Sequence, residues 1–101
     1  MRCKVILSKE FSVEIISELE RVEPKSILFE IKDFDNYNKA LDYVLSKECI
    51  YSSYLVIEFA DLVMVIPKRE IGMYDNFTLL KAFVTKDKAE KYRNDCYNEI
   101  P

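Results

Sequence analysis

The feature that most constrains the fold is a run from Tyr54 to Ile66, in which eleven of thirteen residues are apolar. Glu58 and Asp61 interrupt this run, which is also shorter than the roughly 18 apolar residues that a bilayer-spanning helix needs. Its many valines and isoleucines favour a sheet that is buried on both faces. Typical strands have about five or six residues, so we predict a hairpin of residues 53–59 and 62–66. One long bent strand is the alternative.

Length and composition indicate one globular domain that covers residues 1–101. Half of the residues are apolar and 33% are charged, which is ordinary for a folded domain, and the net charge is only −3. Direct nucleic-acid binding usually requires a basic excess, so we expect none. The N-terminal apolar stretch is too short for a signal peptide, and we expect a cytoplasmic protein with no membrane partner.

Three residue types are rare enough to exclude several chemistries. The sequence has no histidine, one glycine (Gly72), and three cysteines without a C-x-x-C pair, namely Cys3, Cys49 and Cys96. Histidine-based catalysis, a glycine-rich phosphate loop and a zinc site with the usual spacing are therefore excluded. We expect a protein that is not an enzyme and that has no cofactor or metal.

Residues 9–23 predict an acidic helix. Phe11, Ile15, Leu19 and Val22 follow each other at spacings of four, four and three, and Pro24 would end the helix. The opposite face of this helix would carry acidic side chains four residues apart, namely Glu10, Glu14 and Glu18. An ordinary solvated face is one interpretation, and a docking face for a basic partner is the other.

The remaining periodicities complete an α+β fold. They predict strands at 3–8, 26–32 and 77–84, a second helix capped by Asp33 or Asp35, and a terminal helix capped by Thr85. The terminal helix would bury Ala89, Tyr92, Cys96 and Ile100. The predicted order is β-α-β-α-β-β-β-α, a two-layer sandwich with three helices on one face of a mixed sheet of about five strands. We find no internal repeat.

The segment from Pro67 to Asn76 has no periodicity and is a second candidate contact region. Loops often carry binding residues, and this one offers a basic pair and two large side chains, namely Lys68, Arg69, Met73 and Tyr74.

The small size, the acidic charge and the excluded chemistries together favour a stoichiometric binding or inhibitor protein that acts by protein–protein contact. Its partner would be another protein, basic or nucleic-acid-binding, as for a virus- or mobile-element-encoded inhibitor of host defence. An immunity protein that neutralises a toxin and a homo-oligomeric (for example dimeric) adaptor are alternatives. A small-molecule-binding or enzymatic domain is less favoured.

Overall fold

A computed structural model describes residues 1–97 and shows one six-stranded sheet with two α-helices and two short 3-10 helices. The α+β class is thus confirmed, with six strands where we expected about five. The strands are β1 (Cys3–Ser8), β2 (Ser12–Ser17), β3 (Ile27–Phe34), β4 (Tyr54–Phe59), β5 (Leu62–Pro67) and β6 (Thr78–Phe83). The helices are α1 (Tyr37–Leu45) and α2 (Lys86–Tyr97), with 3-10 turns at Pro24–Ser26 and Lys68–Met73.

The apolar run forms the predicted hairpin of β4 and β5. Its two-residue turn is Ala60-Asp61, and both residues have positive φ, 51° and 65°. Two positive φ values at the turn match the twist of the flanking strands. Leu55, Val56 and Ile57 are completely buried, so this hairpin supplies the centre of the core.

The predicted acidic helix is wrong. Residues 12–17 form β2, which pairs with β1 along five register positions and with β6 along two. The apolar stripe also fails, because Leu19 is 77% exposed. Val13 is buried and the next residue, Glu14, is only half-buried, and pairing to two other strands outweighs the local helical spacing.

All strand pairs are antiparallel, so the sheet is not mixed, and its order is β3-β1-β2-β6-β4-β5. The two α-helices also lie on opposite faces rather than on one. Ala40 and Val44 of α1 pack on the face that carries Leu55, here called the first face. Ala89 of α2 packs on the second face, which carries Val56.

The chain contains an internal structural repeat, which we did not find in the sequence. Each half runs strand, strand, strand, helix, and in each half the third strand pairs with the first, which pairs with the second. A bulge falls at the same place in both halves, between Val5 and Ile6 on β1 and between Val56 and Ile57 on β4. Because the pairing register of the first and third strands also agrees, the two halves correspond in their strand pairing as well as in the order of their elements.

Five identical residues recur 49 positions apart in this repeat. Phe34 packs on Tyr43 with ring centroids 5.3 Å apart, and Phe83 packs on Tyr92 at 5.4 Å. Each pair lies where a helix meets the third strand of its own half, so the two helix–sheet contacts are built alike. The matched residues are Lys32 and Lys81, Phe34 and Phe83, Lys39 and Lys88, Ala40 and Ala89, and Tyr43 and Tyr92.

The helix caps also correspond. Asn36, rather than Asp33 or Asp35, caps α1 by accepting from the Lys39 amide at 2.9 Å. Thr85 caps α2 as predicted, accepting from the Lys88 amide at 3.4 Å. Within α2, Ala89 is buried, Tyr92 is half-buried and Cys96 is exposed; Ile100 lies outside the described residues.

Candidate functional site

An open groove crosses the second face where the two halves of the sheet meet. Strands β2 and β6 form its floor, α2 forms one wall, and residues around Val22 form the other. One recess of about 460 Å³ adjoins α2, and a second of about 430 Å³ adjoins Val22. The two recesses share Glu10 and Lys81, so they are parts of one groove.

The floor of the groove is a charge pair beside an aromatic ring. The Lys81 ammonium lies 3.5 Å from the Glu14 carboxylate and 4.9 Å from the centroid of Tyr92. Burial, with a hydrogen bond to Tyr97, raises the pKa of Tyr92, so its phenol stays protonated at neutral pH. The floor therefore offers a paired cation and a neutral ring rather than a group ready to transfer a proton.

Phe11 lies beside the groove, next to Lys88, in an unusual backbone conformation. Its φ is 55°, in the left-handed region, and the residue is 44% exposed. Two hydrogen bonds hold its backbone. The Phe11 amide donates to the Ser8 carbonyl at 2.8 Å, and the Phe11 carbonyl accepts from the Val84 amide at 3.3 Å. The Lys88 ammonium lies 5.2 Å from the ring centroid. The backbone that carries this exposed aromatic ring is thus fixed in place, at a cost of about 1 to 2 kcal/mol.

Charges of both signs line the groove. Glu10, Glu14 and Asp95 line it together with Lys81, Lys88 and Lys91. Lys91 donates to Asp95 at 2.7 Å, and this hydrogen bond raises the pKa of Lys91. The mixture fits a partner segment that itself carries both signs, rather than a purely anionic one.

The structure separates the three glutamates that we predicted on one helix face. Glu10 lies in the β1–β2 turn and Glu14 on β2, and both line the groove. Glu18 lies beyond β2, 4.0 Å from the Arg2 guanidinium, in a different recess. At about 3.3 Å per strand residue, four residues span about 13 Å instead of one helical turn.

The predicted loop is largely a structural element. Lys68 points inward, where its ammonium donates to the carbonyls of Val44 (3.4 Å), Ser46 (2.8 Å) and Cys49 (2.6 Å) and to the Ser52 hydroxyl (2.8 Å). Burial lowers the pKa of Lys68. Lys68 thus holds the C-terminal end of α1 and is not available to a partner.

Two of the other three predicted loop residues face solvent. Tyr74 packs edge-on against Phe59 with centroids 5.1 Å apart. Arg69 and Met73 are exposed. Only these two remain as candidate contacts in the 3-10 turn.

Sequence reasoning missed Phe11, Lys81 and Lys88 as site residues. Phe11 had been assigned to the apolar stripe of a helix, and its turn has no glycine or asparagine to mark it. A lysine 49 residues after Lys32, in the repeated pattern, was the signal that could have located Lys81.

Comparison with known proteins gives no further assignment. No protein-family model matches the chain, and no curated protein or solved structure matches it either. Within residues 1–97, no helix is long and apolar enough to cross a membrane.

Proposed function

We propose that this chain is a non-enzymatic, stoichiometric binding protein whose partner is another protein, bound in the groove of the second face. The observation that carries the proposal is Phe11, an exposed aromatic ring on a left-handed backbone beside Lys88, which lines the groove. Strained conformations persist where the surrounding structure fixes them, and they cluster at functional sites.

The groove has the composition of a protein contact. Binding energy at interfaces is concentrated in a few residues near the centre, most often tyrosine, tryptophan and arginine. Phe11 and Tyr92 provide two aromatic rings, and the lysines of α2 add cations for an acidic group of the partner. Because its backbone is held on both sides, Phe11 loses little backbone entropy on binding, and this favours affinity.

The proposal that the protein acts as an inhibitor now depends on acidic residues of the groove instead of an acidic helix. An acidic helix that docks on a basic partner no longer supports it, since residues 12–17 are a strand. Glu10 and Glu14 still offer carboxylates to a basic segment of a partner, whereas Glu18 lies outside the groove. Inhibition of a host-defence or toxin protein would be the consequence of such binding, and the identity of the captured partner tests it.

The proposal places the protein in the cytoplasm. Cys3, Cys49 and Cys96 are free thiols, and Cys96 is exposed. Free exposed thiols persist in reducing compartments, which supports this location.

The test is capture of partners from cells that naturally make the protein, followed by titration calorimetry with the purified partner. Phe11→Asn keeps the left-handed backbone, which Asn tolerates, and removes the ring. We expect a binding ratio of one to one for the unmodified chain and at least a tenfold loss of affinity for Phe11→Asn. Ala60→Asn, in the β4–β5 turn, is the matched control and should bind normally.

A second pair of variants tests the charge of the groove. Glu10→Lys should weaken binding, because Glu10 lines both recesses. Glu18→Lys makes the same change outside the groove and should not. If Phe11→Asn and Glu10→Lys both bind as tightly as the unmodified chain, the groove is not the contact surface.

A further inference from the structure

The two ends of the sheet differ in how well they are protected. Within residues 1–97, β3 and β5 each pair on one side only. Strand β3 carries Glu30, Lys32 and Asp33 and has irregular register against β1, and both features restrict its pairing to a strand that matches its charge and register. Strand β5 carries no charged residue, pairs regularly with β4, and exposes 61% of Leu62. Strand β5 is thus the more apolar of the two free edges, although Arg93 of α2 donates to its Val63 carbonyl at 2.9 Å.

The contact inside the molecule between β2 and β6 shows what such an edge can accept. Val13 of β2 lies across from Ala82 of β6, and Ser12 across from Phe83. The hydrogen bond from the Val84 amide to the Phe11 carbonyl extends this pairing. Here the second strand of the first half pairs with the third strand of the second half.

Because of the repeat, the free edges of β5 and β3 correspond to the edges of β2 and β6 that pair with each other inside the molecule. Strand β5 is the second strand of its half, as β2 is, and β3 is the third strand of its half, as β6 is. In this correspondence Val63 takes the place of Val13, and Asp33 takes the place of Ala82, 49 residues earlier. The free edge of β5 therefore matches the free edge of β3 on another molecule.

We propose that a second copy of this chain pairs its β3 with the β5 edge, in the register by which β6 pairs with β2. Val63 of one copy then faces Asp33 of the next. The contact is heterologous, joining two different edges, so it adds copies head to tail instead of closing a two-fold dimer.

Charge and apolar surface on the two edges are complementary in this register. Arg93 donates to the Val63 carbonyl at 2.9 Å, the acceptor that the Asp33 amide of the next copy takes over in this register. The displaced guanidinium then lies beside the Asp33 carboxylate, which within its own copy is 3.4 Å from the Lys4 ammonium. Leu62 likewise comes to lie across from Phe34 of that copy, as Ser12 lies across from Phe83. The contact thus joins an ion pair to an apolar pair.

Sedimentation velocity over a range of concentrations tests the proposal. The unmodified chain should show a sedimentation coefficient that rises with concentration. Val63→Pro and Asp33→Pro each remove one outward amide, a substitution that edge strands tolerate, and each variant alone should remain monomeric. Because each variant keeps one intact edge, an equimolar mixture should form a species of twice the monomer mass and nothing larger.

Other outcomes overturn the proposal. A strictly monomeric unmodified chain at millimolar concentration would do so, as would a dimer that Asp33→Pro leaves unchanged, because that result means β5 pairs with β5. If a proline variant fails to fold, charge reversal replaces it. Arg93→Glu and Asp33→Arg should each weaken association at least tenfold, and the double variant should restore it.

Discussion

Replacing Lys68 by methionine should destabilise the protein strongly, because one ammonium group holds the end of α1. Lys68 donates to three main-chain carbonyls and one hydroxyl, and three of these four distances are 2.8 Å or shorter. Methionine keeps the length and apolar stem of the side chain and removes the donors. Ser52, which is fully buried and donates to Val44 at 2.6 Å, would lose the ammonium as its partner.

The magnitude follows from the hydrogen bonds that are lost. Hydrogen bonds to a charged group contribute about 1.5 to 3 kcal/mol each. The lowered pKa of Lys68 shows that burial of the charge opposes part of this gain. Water also reaches the half-buried site in the variant. We therefore expect the free energy of unfolding to fall by about 2 to 3 kcal/mol, a large part of the total for a domain of this size.

Urea unfolding followed by circular dichroism measures this loss. With a slope of about 1.5 kcal/mol/M, the midpoint should fall by about 1.3 to 2 M. Lys25→Met is the matched control, since Lys25 also follows a proline after the second strand of its half but is exposed. It should change stability by less than about 0.5 kcal/mol. Equal effects of the two substitutions would refute the role given to Lys68.

Two further predictions concern the same core. Phe83 is 1% exposed and Phe34 is only half-buried, so Phe83→Ala should cost about 3 to 5 kcal/mol and Phe34→Ala clearly less in urea unfolding; equal costs would contradict the packing described. Burial lowers the pKa of Lys68 in the folded protein below its ordinary value of 10.5. At a pH between the folded and the unfolded pKa, the unfolded chain binds more protons than the folded protein, so the free energy of unfolding increases as the pH rises. Lys68→Met removes that gain, and its penalty should grow as pH rises through this window; a penalty that shrinks would contradict the direction of the shift.

The sequence predicted well the elements whose signals are local. The hairpin of β4 and β5 follows from an apolar run that is too long for one strand, and α2 follows from the cap at Thr85. Strand β2 could not be predicted in this way. Its partners include β6, far along the chain, and its turn places Phe11 at positive φ without a glycine to indicate it.

The candidate site was predicted only in part, for a related reason. Glu10 and Glu14 were chosen for a helix face and lie in the groove because β2 carries them there. Lys68 looked like an exposed cation, but the carbonyls around it come from α1 and the loop that follows, which the fold alone brings together. The repeat could not be predicted from the sequence because only a few residues are identical between the halves. The halves correspond in strand register rather than in residue identity.

Hydrogen exchange of the purified complex, at concentrations where the chain alone is monomeric, tests the central claim most directly. If a protein partner occupies the groove, exchange should slow in the β1–β2 turn around Phe11 and at the start of α2 around Lys88. Exchange in α1, on the opposite face of the sheet, should not change. Slowed exchange confined to α1 or to the 3-10 turn at Lys68–Met73 would contradict the proposal that the groove is the binding site.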